Sequence, residues 1–437
     1  MNNLDKKHLL KVIPIGGLGQ IGNNMMALEY DSDAIIIDCG ISFTDSWSGK
    51  REISIPDLSY ISNNRHKIRA ILLTHGHEDH IGAIGHLISK VTVPIYASEL
   101  TNLLVQSKIR EFHIDPKNTV NTIDEYQPIT AGCFVIEFFK VSHSIPDSMG
   151  LIIESPIGKI VHTGDFKIDH NPADNRPIDL QRLSSKCKDG VLLLCSDSTY
   201  SELEGYTQSE SIIKKNIDSI IRDSKKRVFV STFASLISRF QQILDSARAH
   251  GRKVCFMGRS MTNNVKMCLN SGHLLDPAQI IVNFSESQNL PDSEIIYITT
   301  GGQGETNSVI GLLSKKRHPD LRISKGDTVV FSSDPIPGNE ITVGKAIDGL
   351  SRQGANVIYN KLRTVHVNGH ARAEELRLMM AVTKPHHFLP IHGEYRHLVA
   401  HSKIAASMGI SSDNIHVIEN NDVLELSDPL RSKIIRS

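Results

Sequence analysis

The stretch Ile68-Arg69-Ala70-Ile71-Leu72-Leu73 runs directly into Thr74-His75-Gly76-His77-Glu78-Asp79-His80, which puts three imidazoles and two carboxylates in one short loop. A strand that ends in such a loop can aim His75 and His77 one way while Asp79 and His80 turn another, so a single loop can serve two ions. This density of ligand groups restricts the fold. The strand end must lie where other segments deliver further ligands, because two borderline cations need more donors than one loop carries. A solvated loop that happens to be rich in histidine is the alternative, and it gives no reason for ligand types to crowd a strand end.

The 437 residues exceed what one hydrophobic core accommodates and point to two or three compact units. Basic and acidic side chains number 48 each, so no global cationic field draws the chain onto nucleic acid or membrane, and any polyanion would need a local patch. The six cysteines form no Cys-x-x-Cys pair, and several lie in apolar runs such as Val191 to Cys195. Buried, reduced thiols in a cytoplasmic protein are expected. Met1 to Lys7 has no signal-peptide core, and no stretch of about 20 apolar residues occurs, so secretion and membrane insertion are disfavoured.

Residues up to about 165 read as short strands, among them Lys11 to Ile15, Ala34 to Asp38, Phe134 to Phe138, Gly150 to Glu154 and Lys159 to His162. That density implies paired sheets. From about 210 strands and helices alternate, as in a parallel, doubly wound sheet. After about 360 ligand-type residues return, in His366-Val367-Asn368-Gly369-His370 and in Leu389-Pro390-Ile391-His392. The run Gly17-Leu18-Gly19-Gln20-Ile21-Gly22 has dinucleotide-fingerprint spacing, but Asn23 to Tyr30 soon meets the turn Asp31-Ser32-Asp33 and leaves too little room for the helix a pyrophosphate requires. Glycines in a tight turn between strands account for it.

Further ligand candidates recur at strand ends: His143 in Val141-Ser142-His143, Asp165 in His162-Thr163-Gly164-Asp165, and His392. Each alone reads equally as a structural hydrogen-bond partner. As a set they resemble the metallo-β-lactamase-fold hydrolases, whose His-x-His-x-Asp-His pattern is matched by His75, His77, Asp79 and His80, its next histidine by His143, its bridging aspartate by Asp165 and an early supporting aspartate by Asp38. The resemblance implies that His75, His77 and His143 hold one ion and Asp79, His80 and His392 the other, with Asp165 between them. More than half the chain's length separates Asp165 from His392, and the stretch between them resembles the β-CASP insertion of nucleic-acid-processing members. Runs such as His143-Ser144-Ile145-Pro146-Asp147-Ser148, Ser196-Asp197-Ser198-Thr199, Gly258-Arg259-Ser260-Met261 and Pro335-Ile336-Pro337-Gly338-Asn339-Glu340 sharpen the resemblance to the ribonuclease J family.

The expected fold is therefore α/β: a metallo-β-lactamase αββα sandwich in two parts, residues 1–209 and 356–437, with a doubly wound β-CASP domain at 210–355. The resemblance implies a metal-dependent ribonuclease with 5′-to-3′ exonuclease and endonuclease activity in RNA maturation and decay, two divalent ions with zinc first and manganese or magnesium as alternatives, and single-stranded RNA as partner. It is compatible with a homodimer and with an RNA-degradation assembly. Asp197 is expected to orient the attacking water and His370 to protonate the leaving oxygen or clamp the scissile phosphate. Arg259, Ser260, His366, Asn368 and Gly369 are expected contacts for a terminal phosphate or the backbone. Departures from the family run are Gly302 and Asn368, where serine is usual, and Asp334, which interrupts a serine run. Bacterial members commonly carry a further C-terminal domain, so a chain ending at Ser437 is expected to be a short or truncated form. The competing readings are a DNA-directed β-CASP nuclease, a small-ester metallohydrolase and a catalytically silent RNA-binding scaffold.

Overall fold

The computed structural model describes residues 8–45, 51–113, 120–335 and 339–437. The N-terminal heptapeptide, Met1 to Lys7, and the middle of the Pro335 to Glu340 run lie outside them. The chain divides into two compact units, one of residues 1–170, 177–207 and 369–437, the other of residues 171–176 and 208–368.

The first unit is built on two sheets. Its eight-stranded sheet runs, from edge to edge, Arg431–Ile435, Val423–Asp428, Leu10–Gly16, Met25–Tyr30, Asp33–Ile37, Ile68–Leu72, Ile95–Ala97 and Val120–Thr122. The six-stranded sheet runs Ile129–Ala131, Phe134–Lys140, Met149–Ser155, Gly158–His162, Val191–Asp197 and Pro385–Ile391. Alternation within apolar runs sets the layers. Ile35, Ile37, Ala70 and Leu72 join Ile160, Leu193 and Cys195 in the core between the sheets. The residues between them, Ile36 and Ile71, turn outward to Leu87, Val105 and Ile109 of the covering helices. On the other sheet Val161 and Leu194 turn outward to Leu376, Met379 and Ile404. Strands buried on both faces are apolar at every position, which is why these runs read as continuous rather than alternating. The four layers form the αββα sandwich expected from the sequence.

Three of the pairings near the site are parallel: Asp33–Ile37 with Ile68–Leu72, Gly158–His162 with Val191–Asp197, and Val191–Asp197 with Pro385–Ile391. Asp197 ends one of these strands, and the loops that leave their carboxyl ends carry Asp38, His75 to His80, Asp165 and His392. No helix follows Gly17 to Gly22. Leu18–Gly19 instead pairs in parallel with Gly393–Glu394, and Gly17 and Gly22 adopt the positive φ that glycine tolerates.

The second unit holds a five-stranded, wholly parallel sheet in the order Lys253–Met257, Ile295–Thr299, Val228–Ser231, Thr328–Phe331 and Asn356–Ile358. The second compact unit extends beyond the expected boundary at 355. Asn356–Ile358 pairs with Thr328–Phe331, so the unit ends at residue 368, one strand and one loop later. Among the described residues no helix is long and apolar enough to cross a membrane.

Candidate metal centre

Asp38 organises the loop that carries the histidines. It follows strand Asp33–Ile37 at φ 59°, a left-handed conformation that is costly for a residue with a Cβ, and this turns its carboxylate onto the loop. One oxygen accepts from Thr74 N at 2.8 Å, and the other accepts from Thr74 Oγ1 and from His80 Nδ1, both at 2.8 Å. Because Thr74 donates its hydroxyl hydrogen to Asp38, it accepts from His75 Nδ1 at 3.0 Å. The orientations follow: His75 and His80 donate from Nδ1 and turn Nε2 towards the site, bare in neutral His75 and free to be bare in His80 once a cation takes the place of its second proton. His143 is set the same way, donating from Nδ1 to Gly369 O at 2.8 Å.

The bare nitrogens converge. His75 Nε2 is 3.1 Å and His143 Nε2 3.2 Å from His77 Nδ1, and Asp165 Oδ2 lies 3.6 Å and 3.7 Å from His75 and His143. Ligands at about 2.0–2.1 Å from a tetrahedral zinc stand about 3.3 Å apart. The observed edges fit that cage. A second group comprises Asp79, His80, Asp165 and His392. Its distances are 3.3 Å from His80 Nε2 to Asp165 Oδ1, 3.6 Å from His80 Nε2 to Asp79 Oδ2, and 3.5 Å from His392 Nε2 to Asp79 Oδ2. Asp165 thus turns one oxygen to each group. His392 Nδ1 stands 2.7 Å from Asp165 Oδ1, yet among the described residues neither buried atom, nor His392 Nε2, has a partner with good hydrogen-bond geometry. Buried polar atoms left in this condition are costly unless a cation completes them.

Charge points the same way. Burial pushes His75 and His143 well below the ordinary histidine value and His77 down to about 4, so these three stay neutral and able to ligate. Burial opposes charge on His80 and His392 too, but Asp165 and its neighbouring carboxylates outweigh it, holding His80 well above its usual value and His392 up at about 10. Protons gathered on two buried histidines report an excess of negative charge that a divalent cation would neutralise. Asp165 and Asp79 are held well below the carboxylate range, against burial, by His392 and His80.

Asp197 ends strand Val191–Asp197 with one oxygen accepting from Thr199 N and Oγ1 and the other accepting from His370 Nδ1 at 2.7 Å. Asp197, with Asp165, keeps His370 raised despite its burial, and these three join His392 in a third cluster. Gly369 reaches the site through its carbonyl on His143, and a Cβ there would sit 2.7 Å from the His143 ring. Arg259, Ser260, His366 and Asn368 belong to the second unit. Arg259 and Ser260 are exposed at the start of helix Arg259–Asn270, and His366 is buried beside the Phe233 ring. Two residues not among the expected site residues also lie here: Gly40, where an added Cβ would fall 1.6 Å from Asp79 O, and Tyr200, whose ring lies 5.6 Å from that of His370. Their positions two residues after Asp38 and three after Asp197 were the available signals.

Three family models match successive parts of the chain: the metallo-beta-lactamase superfamily over residues 18–185, the ribonuclease J beta-CASP domain over 225–350, and the Zn-dependent metallo-hydrolase RNA specificity domain over 355–417. Ribonuclease J 1 of Streptococcus pyogenes is 39% identical over 98% of this chain and 76% of its own length. The chain belongs to the ribonuclease J family. Other members include ribonuclease J of Synechocystis sp., 42% identical over 96% of this chain, and ribonuclease J of Helicobacter pylori, 40% identical over 99%. This chain spans 66% and 63% of the length of those two relatives. A protein of unknown function from Enterococcus faecalis shares the fold, with a TM-score of 0.66 at 15% identity over 96% of this chain and 100% of its own.

Proposed function

We propose that this member of the family is a metal-dependent ribonuclease that hydrolyses RNA phosphodiesters, acting as a 5′-to-3′ exonuclease and as an endonuclease. The observation that carries the reading is the pair of ligand groups sharing Asp165, with the Asp197–His370 pair 2.7 Å across beside them. His75, His77 and His143 would hold one divalent cation and Asp79, His80 and His392 a second, with Asp165 between. Zinc suits the donor set best, and manganese or magnesium are the alternatives. When bound, such a pair brings the pKa of water towards neutrality and stabilises charge on the oxygens of an in-line displacement at phosphorus.

The side chains supply the rest. His370, whose hold on its proton Asp197 strengthens, donates to the leaving oxygen or clamps the scissile phosphate. Both Asp197 oxygens are engaged by Thr199 and His370, which favours the role of holding His370 over that of orienting water. Arg259, Ser260, His366, Asn368 and Gly369 remain the proposed contacts for phosphate. All six cysteines are unpaired thiols, five of them buried, which suits a reducing cytoplasm. The inserted parallel sheet favours a polymer over a small ester. The experiment is degradation of end-labelled RNA carrying 5′-monophosphate, triphosphate or hydroxyl ends, with matched DNA, chelator and Asp79→Ala controls. Mononucleotide release favouring the monophosphate is expected alongside internal fragments. Intact RNA with zinc, manganese and magnesium each supplied would overturn the proposal, and equal cleavage of matched DNA would overturn the preference for RNA.

A further inference from the structure

Glu375 is fully buried in the first turn of helix Ala373–Thr383, and among the described residues no ion pair neutralises it. Its oxygens accept from three main-chain N–H groups instead: Oε1 from Ile168 at 2.7 Å, and Oε2 from Thr207 at 2.7 Å and Arg372 at 2.9 Å. The bond to Arg372 is the ordinary capping-box contact of a helix start. The other two are not. Ile168 lies three residues beyond Asp165, and Thr207 donates its own hydroxyl to His370 O at 2.6 Å.

One carboxylate therefore holds both flanks of His370, through Arg372 on one side and Thr207 on the other, and ties them to the segment that carries Asp165. These segments lie next to three of the four points at which the chain leaves or re-enters the first unit, 170/171, 207/208 and 368/369. We infer that Glu375 is a positioning residue that fixes His370 against Asp165 for phosphodiester hydrolysis, an inference that rests on the ribonuclease reading. His370 Nδ1 lies 4.0 Å from Asp165 Oδ2, and a shift of about 1 Å at such a centre costs about 100-fold in rate.

The test uses the full, metal-loaded chain with Glu375→Gln, Thr207→Val and the double variant. Glutamine keeps the shape but turns an NH2 group towards main-chain donors. Thr207→Val leaves Glu375 intact and removes only the hydroxyl on His370 O, so it serves even if the first variant folds poorly. Each folded variant is expected to lose about 10- to 100-fold in kcat with KM within about threefold and wild-type ion content, and the double variant to be no worse than the poorer single one. Hydrogen exchange at Ile168, Thr207 and Arg372 should quicken together in Glu375→Gln. Variants that lose thermal stability but keep wild-type kcat, or losses that simply multiply, would overturn the positioning role while wild-type cleavage leaves the ribonuclease reading standing. A wild-type chain that leaves RNA uncut would overturn both.

Discussion

Asp38→Asn should disable one metal group and spare the other, because it acts through a tautomer. In the wild-type chain Asp38 accepts three hydrogen bonds, and the one from His80 Nδ1 leaves Nε2 as the nitrogen available for a cation beside Asp79 and Asp165. If the asparagine oxygen keeps Thr74 N, its NH2 group faces His80 Nδ1, and two donors cannot bond. The imidazole moves its proton to Nε2, where it blocks ligation. Thr74 can still accept from His75, so the group of His75, His77 and His143 keeps its geometry. Outer-shell partners of metal-binding histidines carry about 10- to 100-fold in affinity, or about 1.4–2.8 kcal/mol. The assay is ion content per chain at buffered free zinc, with thermal unfolding as the folding control. One ion retained with the second weakened by that factor is expected. A folded Asp38→Asn chain that binds both ions as the wild type does would refute the tautomer argument.

Gly40→Ala should displace the metal loop, since the new methyl would stand 1.6 Å from Asp79 O and 2.0 Å from Asp79 C. A loss of about 1–3 kcal/mol in urea unfolding, with reduced ion content, is expected, and wild-type values for both would contradict it. In the second unit Arg239 is wholly buried, 2.8 Å from Glu210 and also bonded to Ser332 and Val365 O, so Arg239→Met should cost about 3–5 kcal/mol in urea unfolding. A loss below about 1 kcal/mol would mean that the pair is no better than a surface one. Burial pushes His401 down to about 3 and His162 and His416 down to about 4. Between pH 6.5 and 5 the unfolded chain binds protons that these folded-state histidines refuse. Each therefore lowers the stability of metal-free protein by up to about 1.4 kcal/mol per pH unit as pH falls, and chemical denaturation at pH 7 and 5 should show the decline.

The parts of the molecule legible in the sequence are those encoded locally. The run Ala34 to Ile37 and the run Ala70 to Leu73 announce buried strands because every position is apolar, and the histidines that follow announce a strand-end site. The glycines of Gly17 to Gly22 read as a turn because the next turn signal comes too soon for a helix. The last strand of the parallel sheet was not legible because Asn356–Ile358 is only three residues long and its place is fixed by pairing with Thr328–Phe331 rather than by its own pattern. Roles that depend on closure across the chain were illegible. Nothing in the sequence around Asp197 shows that Thr199 and His370 occupy its two oxygens. The sequence around Gly369 does not show that its carbonyl also holds His143. Glu375 resembled any first-turn glutamate, because Ile168 and Thr207 lie far from it in sequence.

The central claim is that two cations held between His75 and His392 cut RNA. The direct measurement adds zinc or manganese in known equivalents to chelator-stripped chain and follows the single-turnover cleavage rate of 5′-labelled RNA. The account predicts no cleavage without metal and a rate that reaches its plateau only with the second equivalent per chain. Cleavage by the stripped chain, or a plateau reached at one equivalent, would contradict it.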